Sequence, residues 1–231
     1  MSDLAEKFAP TLGTTTALLR PYLEAYASSL PVRRVTVVGN APLTPSAERV
    51  EIIENSDLVI RCNSLMLDRP GDEPTLGTKT NVVVLARVSL PTPFVFHDYR
   101  NRAYLVPEVG RPFPVGKPLP PALFASWPHD LGNMPVPNDG LGLPLIQKMK
   151  ETGDPRPAVP TTGTLAIAIG YHLFPEAETV ITGFSFLHDR TQTSWQHHYG
   201  PTVPVHPAHL LDREGAILQE WVEEGHARYV P

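Results

Sequence analysis

Four short runs of β-branched and other apolar residues constrain the fold of this chain more than any other feature. They lie at residues 35–38, 57–61, 81–86 and 179–182. The runs at 57–61 and 81–86 are too uniformly apolar for strands with one face in water, and such runs are typical of parallel sheets covered on both faces. Helical patterns separate the runs, so the sequence predicts an α/β, Rossmann-like fold with a mostly parallel sheet flanked by helices.

The helical patterns follow from apolar spacing and from capping residues. We expect a helix over residues 15–29, since the pattern there stops before Pro31, and one reaching about Asn55 that is capped by Thr44 or Ser46. Further helices are predicted at residues 143–151, 161–173 and 207–226.

Proline is unusually frequent, with 27 prolines in 231 residues, but these lack the period of collagen. They concentrate between residues 107 and 160, which we interpret as an ordered lid or acceptor-side insertion, since the segment keeps Phe124, Trp127 and Leu145. The length suits one domain over residues 1–231, with residues 1–30 as an N-terminal covering helix.

Charge and cysteine content narrow the function classes. With 24 acidic and 19 basic residues, a net charge of −5 and no dense Lys/Arg run, the chain does not match a nucleic-acid-binding protein. The single cysteine, Cys62, excludes an intramolecular disulfide and fits a reducing compartment. No apolar run reaches the ~18 residues that span a bilayer, so we expect no transmembrane segment and a cytoplasmic location. Cys62 is either a thiol nucleophile or a small buried filler, and burial is the more common role.

The turn after the first predicted strand is a candidate ligand site. Gly39 and Asn40 follow residues 35–38 directly, at the strand end where open α/β sheets bind ligands. Glycine allows close backbone approach, and the asparagine amide offers a donor and an acceptor. The dinucleotide fingerprint is absent, however, and a purely structural turn is the alternative.

A second candidate lies at the start of the helix predicted over residues 161–173. Thr161, Thr162 and Gly163 bring hydroxyls and free backbone N–H groups to a helix N-terminus, which attracts anions. Simple capping by a threonine is the alternative. Residues 71–80 are not a phosphate loop, because Thr78 separates Gly77 from Lys79.

Histidines cluster near the end of the chain, at positions 197, 198, 206 and 209. One interpretation is acid–base catalysis near neutral pH, for which imidazole is well matched. Another is a zinc site, because His206 and His209 stand three positions apart and could share a helix face. The third interpretation is that these histidines have no functional role.

These segments together resemble the sialyltransferases of glycosyltransferase family 29, in the order of the four motifs of that family. The long motif is matched by VTVVGNAPL, DLVIRCNS and GTKTN, and the short motif by PTTGTLAIAIGYHLFPEAETVITGFSF. The third motif is matched by His198 and Tyr199, and the fourth by His209 and Glu214. The resemblance covers roughly residues 34–221.

The resemblance implies a role for each matched residue. Asn40, beside Gly39, and Asn63 match the asparagines that hold the cytidine monophosphate (CMP) part of the donor. Residues 161–163 match the nucleotide-binding turn. His198 matches the histidine that binds the donor phosphate, with Tyr199 beside it, and His209 matches the catalytic base.

The implied fold is a glycosyltransferase A-type variant that needs no metal, which agrees with the absence of an Asp-x-Asp sequence. The chain cannot form the disulfide of animal members, and we expect it to have no membrane anchor of their kind, so it resembles a soluble, bacterial-type relative. Thr75 and Leu76 stand where the family has Asp-Val, a change that bears on the acceptor.

The implied function is that of an inverting glycosyltransferase without a cofactor. It would move sialic acid, an acidic keto-sugar, from a CMP-activated co-substrate to a hydroxyl of a glycan or glycolipid acceptor. A CMP-Kdo donor would allow the same chemistry. A non-catalytic CMP- or sugar-nucleotide-binding protein and a zinc hydrolase are the alternatives from other classes.

Overall fold

The computed structural model of the protein describes residues 2–86, 92–107, 130–150, 153, 155–198, 200 and 202–231. Seven strands form its central sheet: Arg34–Val38 (β1), Leu58–Cys62 (β2), Val82–Val84 (β3), Ala103–Pro107 (β4), Asn133–Val136 (β5), Glu178–Thr182 (β6) and Arg228–Tyr229 (β9). Their spatial order is β5-β4-β3-β2-β1-β6-β9, and every neighbouring pair is parallel. Ser194–Trp195 (β7) and Val203–Pro204 (β8) form a separate antiparallel pair.

The helices of the described residues are Ser2–Glu24 (α1), Ala47–Glu54 (α2), Pro93–Phe96 (α3), Leu143–Lys150 (α4), Thr162–Leu173 (α5) and Leu211–Glu223 (α6). On one side of β1, Val35 and Val37 pack in a core shared with α1, α5 and α6. On the other side, Val38 and Val59 pack against Ile53 of α2. The sheet is therefore covered on both faces, and the predicted Rossmann-like α/β fold is confirmed.

The predicted strands at 35–38, 57–61, 81–86 and 179–182 are confirmed as β1, β2, β3 and β6. The helix ending near Asn55 is confirmed with Ser46 as its N-cap, since the Ser46 side chain accepts a hydrogen bond from the Arg49 N–H. The helices at 143–151 and 161–173 are also confirmed, within one residue at their ends.

The ends of the first and last helices differ from prediction. Helix α1 runs from Ser2 to Glu24, through Pro10 and Pro21, rather than over 15–29. Beyond it the Ser28 N–H donates to the Asp57 carbonyl at 2.8 Å, which turns the chain toward the sheet. The last helix starts at Leu211 instead of residue 207.

Part of the Pro-rich segment predicted at 107–160 falls on residues 108–129, 151–152 and 154, which lie outside the described residues. In its described part, β5 was not expected between residues 107 and 160. Its sequence, NMPV, carries a proline, and among the described strands it pairs with β4 alone, at the edge of the sheet. Proline is tolerated in edge strands, so its presence did not exclude a strand here.

None of the described helices is both long and apolar enough to cross a bilayer.

Candidate active site

The order of the strands places a crevice between β1 and β6. From β1 the chain adds β2, β3, β4 and β5 on one side and β6 and β9 on the other, so the strand order reverses at this point. In open α/β sheets, ligands bind outside the carboxyl ends of the strands at such a reversal. This is the edge at which the Gly39-Asn40 turn lies.

Gly39 makes a close backbone contact with Gly183, which follows β6. The Gly39 N–H donates to the Thr182 carbonyl at 2.8 Å, and the Ala41 N–H donates to the Gly183 carbonyl at 3.1 Å. A Cβ on Gly39 would collide with the Gly183 carbonyl oxygen. The glycine is therefore required by protein packing, which supports the structural alternative for Gly39 itself.

Asn40 connects three parts of the chain. Its Nδ2 donates to the Cys62 carbonyl at the end of β2, at 2.8 Å. Its own carbonyl accepts the His198 N–H at 2.9 Å. Burial lowers the pKa of His197, against the opposing effect of a hydrogen bond to the Asn40 backbone. Asn40 thus holds β1, β2 and the third-motif segment together.

Cys62 and Asn63 lie at the adjacent strand end. The Cys62 side chain is buried and lies 3.9 Å from the Thr162 carbonyl, and burial raises its pKa to about 12. The thiol is protonated at neutral pH, which favours the buried filler over the nucleophile. The Asn63 Oδ1 accepts the Ala86 N–H at 2.8 Å, in a left-handed conformation with φ of 49°, so this oxygen holds the tips of β2 and β3 together.

The N-terminus of α5 faces the same crevice. Thr161 is its N-cap, and its hydroxyl accepts the Thr164 N–H at 3.2 Å, so Thr161 acts through capping. Thr162 and Gly163 are half-buried in the first turn, where backbone N–H groups have no partner within the helix. Gly163 packs against the Phe184 ring. The anion-attracting groups of this turn are therefore the N–H groups of Thr162 and Gly163.

His209 has a defined tautomer. Its Nδ1 lies 2.7 Å from the Val159 carbonyl oxygen, which can only accept, so Nδ1 carries the proton and the neutral ring has its lone pair on Nε2. Burial lowers the pKa of His209 below its ordinary value, and His206 adds to this, against the opposing effect of the Val159 carbonyl. The ring is neutral at pH 7 and suited to act as a general base.

The prediction that His206 and His209 share a helix face, on which the zinc interpretation was based, is wrong. His206 and His209 both precede α6, which begins at Leu211, and the His206 Nδ1 accepts the Ala208 N–H at 3.2 Å. In the part of the chain that the structure describes, no three His, Cys, Asp or Glu side chains are grouped to hold a metal.

His198 lies at the rim of a cleft of about 420 Å³. Its imidazole is exposed, while its backbone N–H is held by Asn40. Tyr199 lies outside the described residues. The other lining residues are apolar or acidic except for one threonine: Leu43, Pro45, Met66, Leu67, Asp68, Asp72, Glu73, Thr75 and Leu76. A larger cavity, of about 660 Å³, lies at the amino end of β6 and contains none of the predicted site residues.

Three residues at this edge were missed as site residues by the sequence reasoning. Gly183 shapes the crevice, and Glu214 and Thr164 form a buried hydrogen-bonded group with Thr161. The spacing of Glu214 from His209 was the available signal for Glu214. Nothing in the local sequence identifies Thr164, which falls within an apolar helical run.

Comparison with known proteins yields structural neighbours only. No protein-family model matches the chain, and no curated protein matches it in sequence. A crystal structure of a mammalian sialyltransferase is similar with a TM-score of 0.50 and 15% identity, covering 95% of this chain and 78% of that one. A mammalian sialyltransferase in complex with Gal-beta-1-3GalNAc-ortho-nitrophenol gives a TM-score of 0.48 and 16% identity, covering 86% and 69%. The chain therefore has a sialyltransferase-like fold, an α/β arrangement of the glycosyltransferase A type.

Proposed function

We propose that the protein is an inverting glycosyltransferase that moves sialic acid from a CMP-activated donor to a hydroxyl of a glycan or glycolipid acceptor. The observation that carries the proposal is that segments matching all four sialyltransferase motifs are joined by hydrogen bonds at one edge of the sheet. Asn40 and Cys62 of the long motif are bonded to each other, and His198 of the third motif is bonded to Asn40. Glu214 of the fourth motif is bonded to Thr161 of the short motif, and His209 is bonded to Val159, the residue before that motif.

In the proposed reaction the acceptor hydroxyl attacks the anomeric carbon of the donor sugar. The Nε2 atom of His209 takes the hydroxyl proton, a new carbon–oxygen bond forms, and the bond from the anomeric carbon to the phosphate oxygen breaks. CMP leaves with the bonding electrons. His198, together with Tyr199, and the free N–H groups of Thr162 and Gly163 stabilise the charge that develops on the phosphate.

CMP should stabilise the folded protein. A ligand at a hundredfold excess over its dissociation constant adds about 2.7 kcal/mol, which for a chain of this size raises the melting temperature by roughly 5–10 °C. Differential scanning fluorimetry with CMP, UMP and AMP measures this. EDTA should leave the CMP effect intact. Stabilisation by UMP or AMP but not by CMP would exclude the proposed donor, and loss of the effect in EDTA would favour a metal-dependent site.

The transfer reaction distinguishes the remaining alternatives. CMP-sialic acid and CMP-Kdo are each incubated with the protein, and release of CMP is followed with and without a mixture of glycan acceptors. We expect turnover of CMP-sialic acid. Turnover of CMP-Kdo alone would change the sugar but keep the chemistry. Stabilisation by CMP with no turnover of either donor would indicate a non-catalytic binding protein.

Asn40 should contribute to CMP binding through the position it holds. Replacing Asn40 with alanine removes the hydrogen bond to the Cys62 carbonyl, and Asn40→Asp in addition brings a negative charge close to the donor phosphate. We expect a weaker affinity for CMP in both, by about tenfold for alanine, the cost of about one hydrogen bond, and more for aspartate. Isothermal titration calorimetry measures the affinities, and melting temperatures control for folding. Equal, unchanged affinities in both folded variants would return the turn to a structural role.

A further inference from the structure

The carboxyl group of Glu214 is buried in an asymmetric environment. Glu214 is in the first turn of α6 and is 0% exposed. Its Oε2 contacts the Thr161 N–H at 2.8 Å, the Thr161 hydroxyl at 2.7 Å and the Thr164 hydroxyl at 2.5 Å. Its Oε1 is buried with no partner among the described residues. An unpaired oxygen of a carboxylate carries half a charge and is costly in a dry interior, whereas an unpaired carbonyl oxygen of a neutral acid costs less.

A count of protons leads to the same conclusion. Three oxygen atoms form a triangle: Glu214 Oε2, Thr161 Oγ1 and Thr164 Oγ1, with sides of 2.7 Å, 2.5 Å and 3.0 Å. Each side is short enough for a hydrogen bond, which takes one proton. The two threonine hydroxyls supply two protons, and only a protonated carboxyl group can supply a third. In the ionised form one side of the triangle would bring two oxygen lone pairs together.

Among the described residues, no Lys, Arg or His side chain forms an ion pair with Glu214. The charged or titratable groups nearest to it on these elements include His209 before α6, Asp212 and Arg213 on α6, and Arg190 on the segment that packs against Gly215. His209 is bonded to a carbonyl, Arg213 lies 3.5 Å from Asp212, and Arg190 is bonded to Gln219. Burial raises the pKa of Glu214 to about 7, against the three hydrogen bonds from Thr161 and Thr164 that lower it.

We propose that Glu214 is a positioning residue that acts as a neutral carboxylic acid, fastening the N-terminus of α5 to α6 without placing a negative charge beside the donor phosphate. The inference rests on the proposed function. The N-terminus of α5 is where the phosphate would bind, and an ionised Glu214 would occupy its positive end and repel the donor. CMP affinity should therefore fall as the pH rises through neutrality.

The test compares wild type with Glu214→Gln, which has the same shape and no charge. CMP affinity is measured by calorimetry from pH 5.5 to 8.5. The ratio of wild-type to variant affinity should fall by about tenfold over this range, the size expected of a unit charge several ångströms away in a partly buried site. The ionisation of CMP itself affects both proteins equally and cancels in the ratio. A ratio that does not change with pH would overturn the proposal.

A second measurement reports the protonation of Glu214 directly and does not depend on CMP binding. In protein labelled with ¹³C at the glutamate carboxyl carbon, NMR should show one glutamate that titrates near pH 7, well above the others. Glu214→Gln, where it folds, should remove that signal. If all glutamates titrate near their ordinary range, Glu214 is ionised at neutral pH and the proposal fails. If the signal is present but CMP does not bind at any pH, the neutral acid is real and the proposed function fails.

Discussion

Replacing His209 with alanine should lower the rate of sugar transfer by about 10²–10⁴-fold, the usual contribution of a general base. The Val159 carbonyl fixes the proton on Nδ1 and leaves Nε2 as the basic atom. Burial keeps the ring neutral at pH 7 by lowering its pKa. Alanine removes the basic atom, while the Val159 N–H can still donate to the Ala208 carbonyl at 2.9 Å. Initial rates with CMP-sialic acid and a saturating acceptor measure the loss.

His206→Ala is the matched control for this variant. His206 is exposed and lies beside His209, with ring centroids 6.0 Å apart. Its removal should leave transfer within a few-fold of wild type. The wild-type rate should also fall at acidic pH, when His209 becomes protonated. Because the pKa of His209 is lowered, this fall should occur at a pH below the ordinary titration range of histidine. If transfer survives in His209→Ala and is lost in His206→Ala, the base is His206.

The sheet could be predicted where its strands are buried and unbroken. Residues 35–38 and 179–182 lie in β1 and β6, two interior strands of the sheet, and their apolar character follows from burial against the core. Strand β5 could not be predicted, because an edge strand needs little apolar sequence and tolerates proline. Strand β9 consists of only Arg228 and Tyr229, and these two residues are extended because they pair with the edge of β6.

The ends of the helices depended on contacts that lie far apart in sequence. The sequence indicates a helix from residue 207, but the Val159 N–H donates to the Ala208 carbonyl, and the His209 N–H closes a turn by donating to the His206 carbonyl. Helix propensity cannot register a partner 49 residues away. Val159 also contacts His209 Nδ1 through its carbonyl. The same residue therefore accounts for the late start of the helix and for the orientation of the proposed base.

The site could be predicted as a set of positions but not as a set of contacts. The resemblance assigned both Asn40 and Asn63 to CMP, and both follow strands whose carboxyl ends meet at one edge of the sheet. That Asn40 donates to Cys62 and accepts from His198, and that Gly39 packs on Gly183, requires the folded chain. The contacts of Glu214 with Thr161 and Thr164 likewise depend on distances that no sequence pattern contains.

His198→Ala should lower both sugar transfer and the slow hydrolysis of CMP-sialic acid that occurs without an acceptor. Both reactions break the same bond to the phosphate, and the exposed imidazole of His198, anchored by its N–H to the Asn40 carbonyl, is assigned to the departing phosphate. Loss of a donor that stabilises developing charge typically costs about 10²–10³-fold. Both rates are measured as CMP release, with and without acceptor.

The His209→Ala and His198→Ala variants should then differ in the ratio of donor hydrolysis to sugar transfer. In His209→Ala, hydrolysis should fall less than transfer, because concentrated water attacks a cation-like sugar with little help from a base. In His198→Ala the two rates should fall together. His97→Ala, at an exposed position outside this edge, serves as the control for a surface histidine. Equal losses of transfer and hydrolysis in both active-site variants would contradict the division of roles between base and phosphate ligand. Unchanged hydrolysis in His198→Ala would remove His198 from the phosphate, and Tyr199 would be the next residue to replace.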